Sequence, residues 1–112
     1  MPHIVIEYFT KDPLDKQAVL QTALDTATAS GVMERANIKV RLLPAEAILL
    51  GDGRLSFMHV TISLLAGRSD DAKLALAQAM TAALRDLCPQ VSAISADIRD
   101  MNPYCYKKSL SD

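Results

Sequence analysis

Pro2 has chemistry open to it that an internal proline lacks. Initiator methionine is normally trimmed ahead of a small second residue, so the mature chain is expected to begin with a prolyl secondary amine. An ordinary α-amino group titrates near about 7.7–8.0, close to the range in which a general base works. Burial and nearby cations lower that value further by disfavouring the ammonium form. The plain alternative is that proline is a common second residue, and with Met1 retained its nitrogen is an amide without basicity.

Arg68 stands in Ala66-Gly67-Arg68-Ser69, where a strand pattern gives way to a helix pattern. Gly67 permits a tight turn, and the following helix N-terminus offers free N–H groups that attract anions. A guanidinium there can grip a carboxylate through two parallel hydrogen bonds, or simply balance Asp70 and Asp71 at the surface. Lys39 and Arg41 are two residues apart in a second strand, share one face, and can therefore line one pocket. His59 in mid-strand reads as a hydrogen-bonded packing residue more readily than as a catalyst, and His3 beside Pro2 is open to the same two readings. The two histidines lack a clustered set of carboxylates or thiols, so no metal site is expected. Cys88 and Cys105, without metal-like spacing, read as free thiols serving as small buried apolar groups.

Two similar runs of elements must position these groups. Residues 3–9, rich in β-branched and aromatic types, predict a strand at the start of the chain. Asp12-Pro13 reads as a helix start with Asp12 as N-cap, and Leu14, Ala18, Leu20, Ala23, Leu24 and Ala27 form its apolar face up to Gly31. A strand at 38–43 follows, with Ile38, Val40 and Leu42 facing the helices. The order then repeats: a strand over 56–65, and a helix capped by Ser69 with Leu74, Ala77, Met80, Ala83, Leu84 and Leu87 as its buried stripe. Pro89 ends that helix, and Ala93 to Ile98 supplies a fourth strand. The expectation is one α+β domain over 1–112, with halves of about 1–54 and 55–112. Tandem β-α-β units would form a four-stranded sheet with two helices on one face.

Composition narrows the function classes. In 112 residues, Lys+Arg 12 against Asp+Glu 13 gives a net charge of −1, without the basic footprint of a nucleic-acid binder. No apolar run approaches the roughly 20 residues that cross a bilayer, and the N-terminus lacks a secretory pattern, so a cytoplasmic protein is expected. With 50% apolar residues, a body this small has surplus apolar surface, which points to self-association.

Together, Met1-Pro2-His3-Ile4-Val5-Ile6-Glu7, the run Phe57-Met58-His59-Val60-Thr61 leading to Ala66-Gly67-Arg68-Ser69, and Met101-Asn102-Pro103-Tyr104 resemble the 5-carboxymethyl-2-hydroxymuconate isomerase family of the tautomerase superfamily. The resemblance spans nearly the whole chain. It implies a tautomerase fold, a homotrimer, and a cofactor-free isomerase. Its amino-terminal proline would move a proton along a dienol or enol carboxylate from bacterial breakdown of aromatic compounds. Carried over by position, the base falls on Pro2 and a carboxylate-binding arginine on Arg68. Lys39 stands where the family's second strand supplies an arginine, with Arg41 two residues on. A phenylpyruvate-type tautomerase and a binding or signalling trimer similar to macrophage migration inhibitory factor are the alternative expectations.

Overall fold

Alternation along the first strand decides which way the sheet faces. In β1 (His3–Phe9), Ile4, Ile6 and Tyr8 are buried whereas Glu7 is exposed, as the twofold repeat of a strand requires. The computed structural model describes residues 1–111. After β1 come α1 (Lys16–Ala29), a single 3₁₀ turn (Arg35–Asn37), β2 (Lys39–Pro44), β3 (Phe57–Leu65), α2 (Asp70–Leu87) and β4 (Ala93–Met101). The sheet order is β2-β1-β3-β4. β1 runs parallel to β2 and antiparallel to β3, and β3 runs parallel to β4. This is the expected four-stranded sheet, here mixed, with two helices.

The core lies between the helices and the even-numbered residues of β1 and β3. Ile4 and Ile6 meet Met58, Val60, Ile62 and Leu64, all buried, with Val19, Ala23 and Ala27 from α1 and Leu76, Met80 and Leu84 from α2. Ile38, Val40 and Leu42 pack against its edge. Residues of the opposite register, including His3, Lys39, Arg41, His59 and Ser95, lie on the other face of the sheet.

Four details differ from the sequence expectation. The N-cap of α1 is Asp15, whose Oδ1 accepts from the Ala18 N–H at 3.1 Å, not Asp12. Starting three residues later leaves an extended connection that carries Leu14 to the core. In α2 the buried row is Leu76-Met80-Leu84, spaced by four, while Leu74 and Leu87 are exposed. Cys88 is buried as expected but Cys105 is exposed. Finally, β4 continues to Met101, because its parallel ladder with β3 runs on to Leu65.

Candidate active site

Parallel pairing of β1 with β2 brings the residues just before both strands together, and Pro2 is fixed there. The Lys39 N–H donates to the Pro2 carbonyl at 3.0 Å, and Pro2 is buried. Because β3 is antiparallel to β1, its last residues finish beside the same spot. Gly67, at φ +131°, a region that L side chains rarely enter, then turns the chain back. A cleft of about 130 Å³ results, walled by Met1, Pro2, Leu65 and Arg68 on one side and by Met33, Glu34 and Asn37 on the other.

Arg68 is strongly tethered within this cleft. Its Nε–H and Nη2–H both donate to the Val32 carbonyl, at 3.1 and 2.7 Å, and Nη1–H donates to the Leu65 carbonyl at 2.8 Å. Three of the five guanidinium N–H groups are thus engaged. They orient the guanidinium and tie the 32–37 wall to the end of β3. The far side of that wall is held by Arg35, which pairs with Asp25 of α1 at 2.9 Å and holds the Asp25 carboxyl below the usual carboxylate range.

Lys39 and Arg41 are exposed and do not line this cleft. They occupy the other sheet face, where Arg41 Nη1–H donates to His3 Nδ1 at 3.2 Å. An arginine can only donate, so His3 must be neutral with its proton on Nε2, which then donates to the Tyr106 hydroxyl at 3.0 Å. Partial burial, Arg41, the terminal amine and Lys39 all lower the His3 pKa from 6.5, in keeping with that tautomer. His59 bonds through Nδ1 to the Ser95 hydroxyl at 2.6 Å, also away from the cleft.

The terminal amine is shifted in the same direction. Desolvation first, then the charges of Lys108 and Arg68, lower the α-amino group of Met1 from 8.0. The structure brings the sequence candidates Pro2 and Arg68 into one cleft, and adds Glu34, Asn37 and the 32–37 wall, which the sequence reading did not place there. The signal was available: in a β-α-β unit the residues just before the second strand lie beside those just before the first. Among the described residues no cluster of His, Cys, Asp or Glu is placed to hold a metal ion. Among the described residues no helix is long and apolar enough to cross a membrane.

Known proteins share this architecture. A 5-carboxymethyl-2-hydroxymuconate isomerase from Deinococcus radiodurans R1 superposes with a TM-score of 0.83 at 24% identity, over 96% of this chain and 88% of its own. A 5-carboxymethyl-2-hydroxymuconate delta-isomerase does so at 0.83 and 21%, over 99% of this chain and 89% of its own. A protein described as a fused 4-OT wild-type symmetric trimer aligns at 0.76 and 22%, over 90% of this chain and 88% of its own. No curated protein matches the sequence. The sequence profile of 5-carboxymethyl-2-hydroxymuconate isomerase matches residues 2–109. The chain therefore belongs to the 5-carboxymethyl-2-hydroxymuconate isomerase family and is an isomerase of the tautomerase kind.

Proposed function

We propose that this isomerase ketonises a dienol or enol carboxylate of the 5-carboxymethyl-2-hydroxymuconate type, with the nitrogen of Pro2, freed by removal of Met1, as the proton carrier. The observation that carries this reading is the burial of Pro2 in a cleft shared with Arg68. Loss of Met1 converts the Pro2 amide into a secondary amine. It also removes one wall of a cleft of about 130 Å³, too small for most ligands, which occupy roughly 300–1,000 Å³.

The chemistry is a proton transfer without net redox change. Neutral Pro2 takes the proton from the enol hydroxyl, and the electron pair moves through the conjugated system as the carbonyl forms. The prolinium then returns the proton to carbon. Arg68, held by the Val32 and Leu65 carbonyls, presents its remaining N–H donors to a substrate carboxylate and stabilises the dienolate without reorganising. The desolvation and cations that lower the pKa of the terminal amine would act on the prolyl amine one residue further in, keeping it unprotonated near neutral pH. Lys39 and Arg41 stand outside this cleft within one chain, and the reading assigns them no proton-transfer step. The homotrimer, the form in which a 4-OT relative of the same fold is described, is taken as the working assembly.

Intact mass spectrometry should show a chain lacking Met1. Pro2→Ala, or an extension that keeps the nitrogen acylated, should slow ketonisation of a hydroxymuconate at least about a hundredfold. Unchanged turnover in the acylated protein would assign the base elsewhere.

A further inference from the structure

We propose that Asp25 and Arg35 are positioning residues for the reaction. Their ion pair, outside the cleft, holds the 32–37 wall in place and keeps the Val32 carbonyl on Arg68, and so sets the affinity of Arg68 for a substrate carboxylate. The inference rests on the functional reading above, because it takes Arg68 as the carboxylate site.

The wall is anchored unevenly, and this carries the argument. Its first residues reach the core: Met33 is buried, and Val32 packs against the core cluster. Beyond them Glu34, Arg35 and Ala36 are exposed. The 3₁₀ turn closes on itself, with the Asn37 N–H donating to the Glu34 carbonyl at 3.0 Å and the Ile38 N–H to the Arg35 carbonyl at 3.1 Å. The chain is fixed again only at Lys39, on the Pro2 carbonyl. Glu34 and Asn37 line the cleft from the stretch between. Among the described residues, the side-chain hydrogen bonds that tie this stretch to another element come from Arg35, whose Nη1 donates to Asp25 Oδ1 at 2.9 Å and to Thr28 Oγ1 at 3.4 Å, both on α1.

α1 is arranged to receive that guanidinium. Asp25 Oδ1 also accepts from Gln21 Nε2 at 3.0 Å, one turn earlier, which orients the carboxylate independently of Arg35. Thr28 gives its hydroxyl proton to the Leu24 carbonyl at 2.7 Å and keeps lone pairs for Arg35. The last turn of α1 has no basic residue of its own, and Arg35 supplies a cation there, where the helix carbonyls favour one. Three residues before Arg35, the Val32 carbonyl takes both Nε–H and Nη2–H of Arg68. Two arginines therefore grip the same short segment, one to fix it on α1 and one to be fixed by it. Releasing the first frees the Val32 carbonyl, and Arg68 loses the set orientation on which carboxylate binding depends.

Binding of hexa-2,4-dienoate, which has a carboxylate but no enol proton, tests this apart from turnover. Calorimetry on protein lacking Met1 would compare it with hexa-2,4-dienamide. Arg35→Ala and Asp25→Ala should each weaken the carboxylate about threefold, the scale of an exposed ion pair, and leave the amide unchanged. Arg68→Ala should remove the preference for the carboxylate, and adding Arg35→Ala to it should cause no further loss. In turnover the outer variants should raise KM with kcat nearly unchanged. Exchanging the pair, Asp25→Arg with Arg35→Asp, should restore affinity that either reversal alone loses. The Asn37 and Ile38 amides should exchange faster in Asp25→Ala. The inference is overturned if the outer variants leave carboxylate affinity unchanged, weaken the amide equally, or cost as much without Arg68 as with it. An unaltered protein that does not prefer the carboxylate would remove the anion site at Arg68 and the inference with it, whereas retained turnover in Pro2→Ala would remove the proposed base alone.

Discussion

The start of β1 and the start of β3 occupy equivalent places in the sheet, each beside the start of a parallel partner strand, yet they are finished differently. Before β1 stands Pro2, whose carbonyl takes the Lys39 N–H, and the chain ends one residue away. Before β3 stands Ser56, buried, whose hydroxyl takes the Ser92 N–H at 2.8 Å, and the chain runs on into the 45–55 loop. That loop covers a larger hollow, about 370 Å³, with Leu49, Leu50 and Leu55. A strand start can offer an amine only where the chain begins; elsewhere the nitrogen is an amide. The proposed function uses the β1 end alone, because it places the base on the nitrogen of Pro2.

The helices of the two halves differ as well, and here the largest stability effect is expected. α1 buries Val19, Ala23 and Ala27, whereas α2 buries Leu76, Met80 and Leu84. Met80→Ala should cost about 2–5 kcal/mol by leaving a cavity. Ala23→Leu should cost about 1–3 kcal/mol through overpacking, because small residues there let α1 approach closely. Urea unfolding at one fixed protein concentration measures both. A smaller loss for Met80→Ala than for Ala23→Leu would mean that α1, not α2, holds the tighter packing.

Ser56→Ala sharpens the comparison of the ends. It leaves the Ser92 N–H without its acceptor, and the expected loss is about 1–3 kcal/mol. Turnover well below the melting transition should be unaffected, the converse of Pro2→Ala. A fall in kcat with Ser56→Ala would show that both ends contribute to the reaction.

These differences also explain what the sequence could disclose. Strand alternation exposes the core face of β1 and β3 directly, since slipping by one residue would bury Glu7 and His59. Helix phase is less legible in α2, where leucines and alanines occur on several sides, so Leu74 and Leu76 offer competing stripes. The row spaced by four wins because it runs from Leu76 through Met80 and Leu84 to Cys88, all buried. Asp12-Pro13 and Asp15 are likewise competing helix starts, and a local signal does not rank them. At the site, Pro2 and Arg68 stand out by residue type. The Val32 carbonyl that holds Arg68, and the tail that reaches His3, depend on contacts 36 and 103 residues apart, which no local pattern contains.

The two caps give a finer test of which half carries the site. Asp15 caps α1 through the Ala18 N–H, and Ser69 caps α2 through the Ala72 N–H, both at 3.1 Å. Replacing either by alanine should cost about 1 kcal/mol of stability. Ser69 adjoins Arg68, so Ser69→Ala should in addition raise KM, while Asp15→Ala should not. Equal KM values would mean that the Val32 and Leu65 carbonyls alone fix the guanidinium.

The smallest effect expected is on docking of the tail by His3, and its sign follows from the hydrogen bonds. Arg41 requires an unprotonated Nδ1, so the docked state favours neutral His3 and its pKa lies below 6.5. The stabilisation is therefore complete above that value and is lost as pH falls through the lowered folded pKa. Arg41→Ala removes a cation and the bond to Nδ1 together, which should raise the His3 pKa toward 6.5. Imidazole proton NMR follows that titration, and amide exchange at Cys105 and Tyr106 reports the Asn102 turn. Both amides should exchange faster in acid, because the imidazolium is repelled by the Arg41 guanidinium and the ring swings its Nε2–H off Tyr106, after correction for the intrinsic pH dependence of exchange. Unchanged protection while His3 protonates would show that the Asn102 turn holds the tail by itself, leaving His3 to tune only the charge beside Pro2.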